Sequence, residues 1–149
     1  MAPFIALSGL FLVFLGLGAA GVHVFADWAT CLRLALAGMF LLTASAHWGK
    51  RRPDLVRMVP RAFRRPELLI TLTGLLELLG ALGLLLRPTA PLAAAGLSLL
   101  LLAMFPANVH AARAGLTIGG RPATALVPRT LLQLLFLAAT VAVAVRGLR

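Results

Sequence analysis

The chain has 149 residues, of which 61% are hydrophobic and 12% charged, whereas soluble domains run at about 45–50% and about 25%. That balance excludes a water-soluble globule. Fourteen Lys and Arg against four Asp and Glu give a formal charge of +10. The basic residues crowd the gaps between long apolar runs instead of interleaving with aromatics on a polar face, so the charge reads as membrane topology and not as nucleic-acid affinity. Cys31 is the single cysteine. An internal disulfide, a CxxC redox pair and a cysteine-based zinc or iron–sulfur site are therefore excluded, and no metal site is expected.

Five apolar runs are long enough to cross about 30 Å of hydrocarbon at about 1.5 Å per residue: Pro3 to Phe25, Ala29 to His47, Leu68 to Leu86, Pro91 to Val109 and Val127 to Val145. Most are apolar all round, as expected where lipid is the outer solvent, and the period-two alternation of a β-barrel strand is missing. The fold class is therefore all-α, a polytopic membrane helix bundle. Residues 1–27 form an N-terminal transmembrane helix and residues 28–149 a four-helix membrane domain. Small residues at Ala19-Ala20-Gly21 would suit a signal-peptide cleavage site, but no Lys or Arg precedes the run, which favours a retained helix.

The loop over 48–67 carries Lys50, Arg51, Arg52, Arg57, Arg61, Arg64 and Arg65 against Asp54 and Glu67. Arg113, Arg121 and Arg129 add to the same side, and only Arg87, Arg146 and Arg149 fall on the other. The excess of positive charge predicts that this side is cytoplasmic in a bacterial-type inner membrane, with the amino terminus inside and the carboxyl terminus outside. Within the loop, Leu55, Val56, Met58, Val59 and Phe63 between Pro53 and Pro60 predict a short helix lying in the headgroup plane.

A polar side chain at membrane depth costs a few kcal/mol and asks for a partner or a purpose. Arg33, His47, Glu77, Asn108 and Gln133 are such positions, with His110 a further candidate. Glu77 lies near mid-span with Gly74, Gly80 and Ala81 on its face, where another helix can approach closely. Arg33 could snorkel outward or reach Glu77. His47, Asn108, His110 and Gln133 lie at a common depth by helix direction. Pro106 frees the carbonyl of Leu102 for a donor such as Asn108. Two histidines at similar depth raise haem ligation, but both lie at helix ends and nothing else marks a haem pocket. No catalytic residue is assigned, because the sequence has no Ser-His-Asp set and no phosphate loop after a strand.

Taken in order, these residues resemble DoxX-like membrane proteins. Arg33, then Gly38-Met39-Phe40 and Ala46-His47-Trp48, is similar to that family's opening helix, and Met58-Val59-Pro60 with Pro66 to its following loop. Thr73-Gly74-Leu75-Leu76-Glu77-Leu78-Leu79-Gly80 matches its Thr-Gly-x-x-Glu-x-x-Gly helix, Phe105-Pro106-Ala107-Asn108 its Phe-Pro-Ala-Asn helix end, and Arg129 with Leu132-Gln133 the start of its last helix. Ala44-Ser45-Ala46 replaces the usual glycine before the histidine, Trp48 stands where Phe is usual, and an extra helix precedes the common four, which makes a five-helix variant.

The resemblance implies a four-helix membrane core; an intramembrane Glu77 with Arg33, His47, Asn108 and Gln133 and no redox centre of its own leads to the expectation of an integral-membrane accessory subunit of an oxidoreductase or quinone-linked redox system. Arg33, His47, Glu77, Asn108 and Gln133 would form a polar cluster for quinone or another small apolar ligand, with no resident cofactor and no stand-alone turnover. The alternative is a non-enzymatic scaffold or assembly factor for other membrane proteins. Expected partners are the lipid bilayer, oxidoreductase subunits or client membrane proteins, and further copies of the chain. Nucleic acid is not among them.

Overall fold

Prolines mark where the helices begin. Pro3, Pro53, Pro66 and Pro91 each occupy the first turn of a helix, where the missing N–H has no intrahelical partner to lose. The computed structural model describes residues 1–147; Arg149, counted above on the less basic side, lies outside them. Among the described residues there are six helices: α1 (Ala2–Ala19), α2 (Trp28–Ser45), α3 (Arg52–Met58), α4 (Pro66–Leu85), α5 (Ala90–Arg113) and α6 (Leu126–Arg146). All but α3 are long and apolar enough to cross a membrane, which gives the chain a multi-pass character. The short helix expected in the basic loop is α3.

The first span ends earlier than its apolar run suggests. The run continues to Phe25, but the helix stops at Ala19, and His23–Phe25 form a separate 3-10 turn that stacks Phe25 on Phe14 with ring centroids 4.8 Å apart. Asp27 then starts α2 as its N-cap, accepting from the Thr30 amide at 3.2 Å.

α2 packs on α4, α4 on α5 and α5 on α6, and a thinner α2–α6 seam closes the ring; α1 lies outside it against α2. Phe40, Leu36, Met39, Leu84 and Leu97 are fully buried at the centre. In lipid, apolar burial drives helix association weakly, and close approach and interhelical hydrogen bonds carry more of it. Both devices are present. Leu97 sits where a Cβ on Gly80 would be, at 2.6 Å, and the Ser98 hydroxyl donates to Thr140 Oγ1 at 2.8 Å between α5 and α6. At the end remote from α3, the α2–α6 seam is clasped: the Arg146 guanidinium lies 4.7 Å over the Trp28 ring and 3.8 Å from Asp27.

A two-stranded hairpin, β1 (Thr117–Ile118) and β2 (Arg121–Pro122), interrupts the loop between α5 and α6. In the sequence this loop stands out only by its charge, from Arg113, Arg121 and Arg129. Its turn is Gly119-Gly120, with φ of 59° and 75°, the left-handed pair that a two-residue hairpin requires. Asp54 of α3 accepts from the Gly119 amide at 2.7 Å and pairs with Arg57, so the acid staples the hairpin to the short helix.

The Gly119 amide and the Arg57 guanidinium hold the Asp54 carboxyl below the ordinary aspartate value of 3.8. A depressed folded-state value means that the staple is fully present above about pH 4 and is lost only as the pH falls through the lower folded value. The Gly119 amide proton, followed by NMR against pH, should therefore shift with a midpoint below 3.8. A midpoint at or above that value would contradict the staple.

Candidate functional site

On α2, residues three and four apart carry Met39, Phe40 and Thr43 down one face to His47, which follows the helix end. On α4, the buried row is Ile70, Gly74, Glu77, Ala81 and Leu84, the spacing of a single helix face. These two faces meet. A Cβ on Gly74 would lie 2.7 Å from His47 Cβ and 2.8 Å from its Cγ, so the missing side chain at 74 is what seats the imidazole against α4. His47 Nδ1 is 3.1 Å from the Thr43 carbonyl and 4.0 Å from Glu77 Oε2. A carbonyl only accepts, so Nδ1 carries the proton, and in the neutral imidazole Nε2 presents a lone pair. Both side chains are buried, at 3% and 5% exposure.

The opposite wall comes from α5 and α6. Asn108 Nδ2 donates to Gln133 Oε1 at 3.0 Å, Gln133 Nε2 donates to the Leu101 carbonyl at 2.5 Å, and Arg129 Nη1 donates to Asn108 Oδ1 at 2.9 Å. The chain of bonds fixes the orientation of both amides. Pro106 does sit inside α5, but the carbonyl that takes a side-chain donor is that of Leu101, not Leu102, and the donor is Gln133, not Asn108. Gln133 reaches from the neighbouring helix at a depth set by the packing of α5 on α6.

Between the walls lies a cavity of about 570 Å³, inside the about 300–1,000 Å³ range of small-molecule sites. Met39, Phe40, Leu101, Met104 and Phe136 give it an apolar lining, and His47, Glu77, Asn108 and Gln133 all reach it. It lies at the α3 end of the bundle, where Ala2 and Pro3 of α1, Leu55 and Met58 of α3 and Ile118 of the hairpin also line it. Buried polar atoms normally find a partner. Here His47 Nε2 and Glu77 Oε2 have none, and both residues line the cavity.

Four of the five intramembrane polar residues singled out in the sequence thus converge, and Arg33 does not join them. It lies toward the other end of the bundle, where its Nη1 donates to the carbonyls of Leu84 and Leu85, the latter at 2.9 Å. The Arg33–Glu77 pair expected as one alternative is absent, and Glu77 faces His47 instead. α4 ends at Leu85, so its last carbonyls lack helical partners, and a guanidinium one turn into α2 is close enough to cap them. Arg33→Met should lower the stability of the protein in detergent by about 1.5 kcal/mol, the worth of a hydrogen bond from a charged donor, and leave ligand binding in the cavity unchanged. Guanidinium-free unfolding in urea or sodium dodecyl sulfate measures it, and a variant of unchanged stability would refute the cap.

His110, half-buried near the end of α5, does not line the cavity, so the two histidines considered for haem do not share it. Among the described residues, no group of three His, Cys, Asp or Glu side chains is placed to hold a metal. Arg52 is a contributor that sequence reading counted only as loop charge. It donates to the His47 carbonyl at 2.8 Å, to Thr71 Oγ1 at 2.9 Å and to the Glu67 carbonyl at 3.3 Å, tying the end of α2 to the start of α4 beside the imidazole. Nothing in the spacing of Arg51, Arg52 and Pro53 distinguishes that arginine from its neighbours.

Over residues 36–145 the chain matches the family described as Domain of unknown function (DUF8561), and it belongs to that family. The matched stretch begins inside α2 and contains His47, Glu77, Asn108 and Gln133. No curated protein and no solved structure matches the chain.

Proposed function

We propose that this member of the DUF8561 family is an integral-membrane accessory subunit of a quinone-linked oxidoreductase system, and that its cavity holds the head of a quinol or quinone. The observation that carries the reading is the pair of buried, partnerless polar atoms, His47 Nε2 and Glu77 Oε2, on an otherwise apolar cavity. A quinol hydroxyl would donate to the Nε2 lone pair. Glu77 would accept from a hydroxyl when ionised and donate to a quinone carbonyl when protonated. The Asn108–Gln133 amides, already bonded to each other and to Arg129, serve as a rigid wall. The order of motifs shared with DoxX-like membrane proteins supports the same reading, and the distribution of arginines supports a cytoplasmic location for the basic end, with the amino terminus inside and the carboxyl terminus outside.

Trp48 offers the assay, because its ring centroid lies 6.2 Å from that of His47 and quinones quench indole fluorescence. In the Trp28→Phe background, a short-chain naphthoquinone should quench Trp48 saturably. Quenching that rises linearly, as for partition into the detergent, would sink the proposal. A second reading, a scaffold that docks client helices, draws on α1, of which only Leu7 is buried. It calls for client proteins in cross-linked membranes and an unsaturable Trp48 response.

A further inference from the structure

A second recess of about 540 Å³ lies beneath the hairpin at the basic end. Arg51 from the turn before α3, Arg121 from β2 and Arg129 from α6 line it, with Ile118, Pro122 and Thr124 between them. No carboxylate is among its lining residues. Asp54, which anchors the hairpin to α3, is engaged by the Gly119 amide and by Arg57. The Arg51 guanidinium lies along the glycine turn, with Nε 3.6 Å from the position of a Cβ on Gly119. Arg129 is bonded through Nη1 to Asn108, and its Nε is buried without a partner.

Three guanidinium groups drawn together at the edge of an apolar bundle repel one another, and the repulsion grows as water is excluded. Each presents a planar fork that suits two oxygens of one anion. We infer that this recess is a binding site for a phosphate-type oxyanion, held by Arg51, Arg121 and Arg129. The recess is larger than a free phosphate, and it shares Ala2, Arg51 and Ile118 with the deeper cavity, so a substituent on the phosphate has an apolar path beside it. The group can come from an anionic phospholipid or from a soluble phosphate; the chemistry that recognises it is the same. The inference stands whatever occupies the deeper cavity.

The full chain in a neutral maltoside detergent, mixed with phosphatidylglycerol or phosphatidylcholine and examined by native mass spectrometry, decides it. One phosphatidylglycerol should be retained in preference to phosphatidylcholine, and Arg51→Gln with Arg121→Gln should reduce its retention at least tenfold. Arg61→Gln with Arg64→Gln removes the same charge from exposed positions outside the recess and should leave retention unchanged. Displacement of the lipid by millimolar inorganic phosphate identifies a soluble source, and persistence of the lipid identifies a headgroup; both uphold the site. Equal retention of the two lipids, or equal effects of the two double variants, overturns it. The single variant Arg121→Gln, altered at a residue that lines the recess and not the deeper cavity, should also lose retention, and saturable naphthoquinone quenching in that protein keeps loss of this site distinguishable from failure of the quinone reading.

Discussion

Glu77→Gln should weaken binding of a short-chain naphthoquinol by roughly 5- to 15-fold, the difference between a hydrogen bond to a charged acceptor and one to a neutral acceptor, and leave binding of the oxidised quinone within about threefold. The asymmetry follows from the chemistry of the two side chains. Glutamine keeps the volume of glutamate, so the apolar lining of the cavity is not opened. Its NH2 still donates to a quinone carbonyl, and its Oε1 still accepts from a quinol hydroxyl, but without the negative charge that strengthens that bond. Folding should not suffer, because an uncompensated buried carboxylate is a liability and replacing it with a neutral isostere is commonly neutral or stabilising. His47→Leu should show the same preference for loss of the quinol, through Nε2. Titration of Trp48 fluorescence with both redox forms measures the ratio. Equal losses for quinol and quinone would mean that Glu77 shapes the cavity without bonding its occupant.

Gly74→Val is the substitution expected to damage the fold most. A Cβ alone would stand 2.7 Å from His47 Cβ and 3.0 Å from Trp48 Cη2, and valine adds two methyl groups to that. Overpacking of this kind costs about 1–3 kcal/mol, and the buried imidazole, bonded through Nδ1 to the Thr43 carbonyl with Glu77 Oε2 4.0 Å from the same nitrogen, has little room to move. Stability should fall by about 3 kcal/mol and quinol binding with it. Gly96→Ala provides the contrast, because nothing lies within 4 Å of its Cβ position. There the gain in helix propensity, up to about 1 kcal/mol, should leave the protein equal or more stable. Comparable destabilisation at both positions would show that α4 is not held close to His47.

The helices were the part most open to sequence reading. Apolar runs long enough to span, with prolines in their first turns and basic residues gathered between them, locate all five spans to within a few residues, except where α1 breaks before His23. The convergence of His47, Asn108 and Gln133 was legible for a related reason: helices that alternate in direction bring residues of equal depth to one level. Glu77, expected deeper, reaches the same cavity from the face of α4 that meets His47, and His110, expected at their depth, does not line it. What depth cannot give is reach. Arg33 is on a helix adjacent to that of Glu77, yet it caps Leu84 and Leu85, because the relative register of α2 and α4 places free carbonyls nearer to its guanidinium than any carboxylate. The same limit hid Arg52, whose three acceptors come together only after α4 has docked. The hairpin escaped notice because its strands are two residues each, too short for an alternating pattern, although Gly119-Gly120 was in plain view as a turn.

The connections at the two ends of the bundle are very unequal. On the side of Asp27 and Arg87, α4 passes to α5 through Leu86–Thr89 alone, and α1 to α2 through residues 20–27, which include the 3-10 turn; on the other side stand α3, its flanking turns and the hairpin. An antibody, a protease or a soluble docking protein approaching from the bare side would meet little more than lipid headgroups and short turns. Among the described residues, then, the side of Asp27 and Arg87 offers only short turns and the end of α6 to a soluble partner, and an epitope inserted within Leu86–Thr89 would give that side a handle.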